Sequence, residues 1–165
     1  MTNYQKALSA GKKVVVFGVS YALLDLADSK VDLSQAQIIE TGGMKGRRKE
    51  LTKEELHDYL KKGLGCEYIS SEYGMTELFS QAYSKGSGIF ECPTWMKVVC
   101  RDIQDPLSLL PAGKRGALNI IDLANQNSCS FIATQDLGKI NPDGSFEVLG
   151  RFDNADIRGC NLLVQ

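Results

Sequence analysis

Hydrophobic patterning changes character part-way along this chain, and the change limits its fold more than any other feature. Up to about Ser84, short apolar runs alternate with stretches of helical spacing; beyond it only strand-like runs and turns follow. Val14-Val15-Val16-Phe17 is a continuous apolar run suited to a buried parallel strand. Tyr21 to Ala27 has apolar residues at helical spacing, and Gln37 to Glu40 reads as a second strand ending in the loop Thr41-Gly42-Gly43. Thr52 and Glu55 form a capping box that opens a helix to about Leu64, with Gly63 and Gly65 as stop signals. Cys66 to Ser70 is a third strand, leading into Tyr73-Gly74-Met75-Thr76-Glu77. Residues 1–83 are therefore predicted to be an α/β portion built on parallel strands.

Ser84-Lys85-Gly86-Ser87-Gly88 reads as a flexible connector. Four strand-like runs follow: Trp95 to Asp102, Gly116 to Asp122, Ser130 to Thr134 and Ser145 to Leu149. Pro111-Ala112-Gly113 and Asn141-Pro142-Asp143-Gly144 punctuate them as turns. Residues 84–165 are predicted to be mostly antiparallel β, arranged like a small barrel.

With 165 residues, 43% hydrophobic and 24% charged, the chain has the composition of an ordinary globular protein able to bury a core. A net charge of −1 and one short basic cluster, Lys45-Gly46-Arg47-Arg48-Lys49, give no electrostatic case for nucleic acid. No apolar run is long enough for a membrane helix, and the first residues lack the layout of a secretion signal. Five cysteines without paired CxxC spacing argue against a disulfide frame and a zinc knuckle, so reduced thiols and a cytoplasmic location are expected.

Tyr73-Gly74-Met75-Thr76-Glu77 brings together an aromatic face suited to a base, a hydroxyl suited to a phosphate oxygen and a carboxylate suited to Mg²⁺. Downstream lie Thr134-Gln135-Asp136-Leu137-Gly138 and Gly150-Arg151-Phe152-Asp153-Asn154. In this order the three segments resemble the signature of the adenylate-forming enzymes, which activate carboxylic acids with ATP. The resemblance is closest to acyl-protein synthetases of the LuxE type. It runs from about Lys12 to Gln165 and covers the second half of such an enzyme.

That resemblance implies a partial large domain of an adenylate-forming enzyme, with ATP and Mg²⁺ as cofactors. It gives Glu77 to Mg²⁺ and Thr76 to a phosphate, with Tyr73 and Gly74 in the same nucleotide site. Gly42 and Gly43 would lie against adenine, Asp136 would grip the ribose hydroxyls, and Arg151 would be a second ribose or phosphate contact. Cys160, close to the end of the chain in Arg158-Gly159-Cys160, matches the cysteine that carries the acyl thioester. Arg158 beside it would raise the thiolate fraction. Each residue also has a plainer reading. Thr76 and Glu77 suit a helix start, Asp136 a turn, Arg151 a surface ion pair, the glycine pair a strand-to-helix turn, and Cys160 a small buried residue. Cys66, Cys92, Cys100 and Cys129, in or beside strand-like runs, fit that last description better. Gln135 departs from the Gly often found there, and Asp153 matches the hinge position of relatives with a mobile C-terminal domain, although no hinge work is expected of it in these residues.

Adenylation itself needs no general base, because a carboxylate is already ionised at neutral pH. The single histidine, His57, lies mid-helix among Lys and Glu and is expected to face solvent. The Ser/Thr/Gly-rich phosphate loop of the family is not found in these residues, so the chain alone is expected to adenylate poorly or not at all. The reading that follows is part of a fatty-acid–protein ligase forming acyl-AMP and then an acyl thioester on Cys160. Its partner would be an acyl reductase or acyltransferase, and a homodimer is expected if a large apolar face needs cover. An acyl- or aryl-CoA ligase and a non-catalytic nucleotide- or partner-binding module are the alternatives.

Overall fold

The computed structural model describes residues 3–42, 48 and 51–152; Gly43, Asp153, Asn154, Arg158 and Cys160 lie outside them. The chain divides into two compact units. One runs to Gly74 and takes in Tyr83–Gly88; the other comprises Met75–Ala82 and the chain from Ile89 onward. The segment carrying Thr76 and Glu77 thus goes with the β-rich unit, although it follows the α/β portion directly.

In the first unit, helix α1 (Asn3–Ser9) precedes strand β1 (Val14–Val19), helix α2 (Ser20–Asp28), strand β2 (Ala36–Thr41), helix α3 (Lys53–Leu64) and strand β3 (Ile69–Tyr73). Strand β4 (Ala82–Ser84) neighbours β3. Strands β1, β2 and β3 are parallel and lie in chain order. Two crossovers stepping the same way, each with the usual right hand, put both helices on one face. Accordingly α2 and α3 pack together, and Leu23, Leu24, Ala27, Leu56, Leu60 and Leu64 close over Ile38 and Ile69 as one core. Thr52 caps α3 through the predicted box: its side chain accepts from Glu55 N, and the Glu55 carboxylate accepts from Thr52 N at 2.8 Å.

The opposite face explains a departure from expectation. The Val14–Phe17 run is a parallel strand, but Val15 and Phe17 are 52% and 51% exposed, because β1 is the edge strand and among the described residues no helix covers their side. A second correction concerns His57, which is buried. Its helix register turns it onto the sheet, where Nε2 meets Ser71 Oγ at 3.1 Å and Glu40 Oε1 at 3.5 Å.

The second unit is an antiparallel sheet in the order β5 (Ile89–Glu91), β9 (Phe146–Arg151), β8 (Phe131–Ile140), β7 (Arg115–Asp122), β6 (Met96–Arg101). Neighbours pair antiparallel throughout, and the sheet is open among the described residues. Strand β8 is longer than the sequence suggested and carries Asp136 within it, so the turn reading of that residue does not hold. Gly138 is needed there because a Cβ would lie 2.4 Å from the Glu147 carbonyl and 2.7 Å from Leu118 Cδ2. Among the described residues no helix is long and apolar enough to cross a membrane.

Candidate functional site

Open sheets of parallel strands bind ligands beyond the carboxyl ends of those strands. In the first unit these ends are Thr41-Gly42 on β2 and Glu72-Tyr73-Gly74 on β3, with Thr41 paired against Glu72. Thr41 Oγ1 donates to Glu72 Oε1 at 3.2 Å and Tyr83 Oη donates to Glu72 Oε2 at 2.8 Å, stitching the ends together. Gly42 has a positive φ of 70°, and among the described residues other than its chain neighbour no atom lies within 4 Å of where a Cβ would stand. Tyr73 is buried, whereas Gly74 is exposed.

Behind this edge lies a charged network the sequence did not announce. Glu40 is fully buried on β2, ion-paired to Lys53 Nζ and accepting from Ser20 Oγ at 3.0 Å; the same hydroxyl lies 3.2 Å from the Gly42 carbonyl. Burial alone would raise the Glu40 pKa, but the His57 contact, the Lys53 charge and the Ser71 hydroxyl outweigh it and hold it at about 2. Ser71, His57 and Glu40 do not form a nucleophilic triad, because serine and carboxylate meet the same imidazole nitrogen and all three side chains are buried. The network's work is structural: it ties the start of α2 and the side of α3 to the strand end that carries Gly42.

In the second unit, Met75–Leu78 makes a turn closed by Leu78 N donating to the Met75 carbonyl at 3.0 Å, so no helix starts at Thr76. Thr76 and Glu77 sit exposed at its corner. The turn is firmly anchored. Buried Asp122, at the end of β7, accepts from Phe79 N at 2.9 Å, Ser80 N at 2.8 Å, Ser80 Oγ at 2.7 Å and Ala124 N at 3.1 Å. These donors outweigh the effect of burial and lower the Asp122 pKa. Asn125 Nδ2 donates to the Glu77 carbonyl at 2.8 Å, and the Trp95 indole donates to Ser80 Oγ at 2.9 Å.

The two downstream motifs meet across β8 and β9. Asp136 is the cross-strand partner of Arg151, and their side chains form an ion pair with Nε 3.4 Å from Oδ1. A register shift makes this possible. Leu137 faces Gly150 while Gly138 faces Val148, and the extra residue bulges the strand at Gly150, whose φ of 139° suits only glycine. The Asp136 carboxylate is largely buried, whereas the Arg151 side chain is 71% exposed. A largely buried carboxylate beside an exposed guanidinium is suited to a vicinal diol with an adjoining anion.

Beneath this pair lies Arg101, which the sequence did not single out. Its buried guanidinium donates to the Leu118 carbonyl at 3.1 Å, the Asn119 side-chain oxygen and the Thr134 carbonyl at 2.8 Å, and lies 6.0 Å from the Phe152 ring centre. Every one of these partners is neutral, and burial pulls the Arg101 pKa below the ordinary arginine value. Among the described residues Arg101 has no counter-charge, and a buried cation so placed costs several kcal/mol.

A cavity of about 560 Å³ opens elsewhere, lined by Ala27, Asp28, Tyr59, Lys62, Gly63 and Leu64. These residues close α2 and α3, so it lies at the amino ends of the parallel strands, away from the edge that carries Gly42. Arg48, from the short basic cluster, is ion-paired there to Asp25 and Asp28. Among the described residues no three His, Cys, Asp or Glu side chains gather as a metal cluster. Glu77 offers a single exposed carboxylate, which fits Mg²⁺ where substrate phosphates and water complete its shell. Of the thiols, Cys66 and Cys100 are buried and Cys92 is half-buried, as the plainer reading expects, but Cys129 is exposed.

No family model matches the chain, and no curated protein matches its sequence. Solved structures do match. ATP-bound MatB from Rhodopseudomonas palustris superposes with a TM-score of 0.63 at 19% identity, over 91% of this chain and 33% of that one. A long-chain-fatty-acid–CoA ligase from Archaeoglobus fulgidus gives 0.62 at 14% identity, over 92% and 37%. The anthranilate CoA ligase AuaEII in complex with anthranoyl-AMP gives 0.59 at 17%, over 90% and 32%. The α/β fold with its following antiparallel strands is therefore that of a region of these ligases, and this chain spans about a third of their length.

Proposed function

We propose that this chain is the nucleotide-gripping portion of an ATP-dependent ligase that activates a carboxylic acid as its acyl adenylate. The observation that carries the reading is the Asp136–Arg151 pair. Two motifs fifteen residues apart in sequence come together through a glycine bulge, on a fold shared with ligases solved with ATP and with an acyl-AMP. Asp136 grips the ribose hydroxyls, and Arg151 reaches the sugar or the phosphate beside it. Thr76 donates to a phosphate oxygen from the anchored turn. For adenine the resemblance offers Gly42, Gly43, Tyr73 and Gly74. Glu77 would hold Mg²⁺, which when bound neutralises charge on the phosphates.

The substrate carboxylate attacks the α-phosphorus, the bond to the β-phosphate oxygen breaks, and pyrophosphate leaves. In the acyl-protein synthetase form of the proposal, the Cys160 thiolate then attacks the acyl carbonyl. The carbon–sulfur bond forms, the carbon–oxygen bond to AMP breaks, and the acyl group rests on Cys160 for a reductase or transferase partner. The CoA ligases among the structural matches favour a second reading, in which the acceptor thiol belongs to CoA and Cys160 is incidental.

Incubating the complete protein with ATP, Mg²⁺ and a fatty acid, then weighing it intact, separates the two. An acyl adduct that hydroxylamine removes and Cys160→Ser lacks supports the acyl-protein form. AMP release that depends on CoA, with no adduct, supports the CoA form. If Asp136→Asn leaves ATP use unchanged, the reading as a whole fails.

A further inference from the structure

We infer that Arg101 is the positioning residue of the β8/β9 clamp: its buried planar fork fixes Asp136 and Arg151 in the geometry that grips a ribose diol. The inference rests on the proposed nucleotide site for the identity of the ligand, but the positioning itself is read from contacts alone.

Those contacts converge on the two motif segments. The Arg101 Nη2 donates to the Thr134 carbonyl at 2.8 Å, and Thr134 Oγ1 in turn accepts from Asp136 N at 3.1 Å while donating to the Leu118 carbonyl at 2.8 Å. The Nη1 atom donates to that same Leu118 carbonyl and to Asn119, so one guanidinium spans β7 and β8. On the β9 side, its face lies 6.0 Å from the Phe152 ring centre, and Phe152 N donates to the Gln135 carbonyl at 2.9 Å. Asp136 and Arg151 are thus flanked, at Thr134-Gln135 and at Phe152, by groups that Arg101 touches or that those groups hold.

The ladder here is interrupted, because the pairing shifts by one residue between Leu137 and Gly138. A bulged pair needs something other than the ladder to keep its side chains facing the same way. A lysine in this place keeps the charge but has no planar fork to reach the Leu118 and Thr134 carbonyls together. The neutrality of every described Arg101 partner also matters: among the described residues no ion pair gives a structural reason for burying this cation here.

The test compares the wild-type chain with Arg101→Lys and Arg101→Met, the lysine variant serving if the methionine variant does not fold. Two readouts are taken: amide NMR shifts of Asp136 and Phe152 without ligand, and affinity for AMP against 2′,3′-dideoxy-AMP. Expected are displaced Asp136 and Phe152 amides in both variants, and loss of a roughly tenfold preference for the ribose nucleotide. Affinity for the dideoxy compound, which offers no diol, should hold; a merely destabilised fold would weaken both ligands alike. Unmoved amides, or a ribose preference kept by Arg101→Lys, would overturn the inference. If the wild-type chain does not distinguish the two nucleotides, the ribose reading of Asp136 fails, and the amide shifts alone decide whether Arg101 positions the pair.

Discussion

Acid should unfold the first unit through Glu40, and the size of the effect follows from its surroundings. The carboxylate sits at about 2 in the folded chain against an ordinary value of 4.5, a gap worth about 3 kcal/mol at neutral pH. Because the folded value is the lower one, this stability is present in full above 4.5. It drains away as pH falls and is gone below about 2. Glu40→Gln removes the titration but keeps the shape, leaving Lys53, His57 and Ser20 without their charged partner. The variant should therefore be about 3 kcal/mol less stable at neutral pH, and the difference should close toward zero between 4.5 and 2. Urea melts at stepped pH measure this, followed by helical circular dichroism, since α1, α2 and α3 all lie in the first unit. Other carboxylates titrate in the same range but cancel in the difference between the two proteins. A wild-type–variant gap that stays constant from neutral pH to strong acid would refute the reasoning.

Asp122→Ala should cost about 2–4 kcal/mol, since it strips the acceptor from the Phe79 and Ser80 N–H groups just after the Thr76–Glu77 turn and from Ala124 N. Fluorescence of the single tryptophan reports it, because Trp95 bonds to the Ser80 hydroxyl that Asp122 holds; an unchanged midpoint would deny the anchor. Gly138→Ala should cost more than about 2 kcal/mol by forcing a Cβ onto the Glu147 carbonyl, whereas Gly144→Ala, in open space at a φ of 86°, should cost only about 1 kcal/mol in thermal melts. Among the described cysteines, Cys129 should be alkylated first at neutral pH, since burial raises the Cys66 and Cys100 thiols and pushes Cys92 up to about 11. Peptide mass spectrometry gives the order, and a faster Cys92 would contradict it.

Much of the secondary structure was legible because local chemistry writes it. The Thr52–Glu55 box, the helix behind it and the antiparallel runs of the second half all appear where spacing and turn residues put them. Strand ends were less legible. Ladder pairing with β7 and β9 carries β8 through Asp136 to Ile140, past the residues whose own composition looked like a turn. Of the candidate site, the sequence order of motifs pointed to Asp136 and Arg151, and the fold pairs them. It could not indicate Glu40, Arg101 or Asp122, since a lone charge at the end of an apolar run looks the same whether it meets water or the core. His57 shows the same blindness: most of its charged neighbours in sequence are exposed, while its own side chain is buried and faces the sheet.

By itself, the sequence determined what depends on neighbours within a few residues: the α/β-then-β order, the capped helix, and the glycines that mark turns. Only the tertiary structure decided which face of β1 stays bare, which carboxylates are buried, and which two strands bring Asp136 beside Arg151. The physical reason is range. Periodicity and capping act over a single turn, but burial and ion pairing depend on residues such as Ser20 and Glu40, or Arg101 and Thr134, that meet only after the sheet has formed.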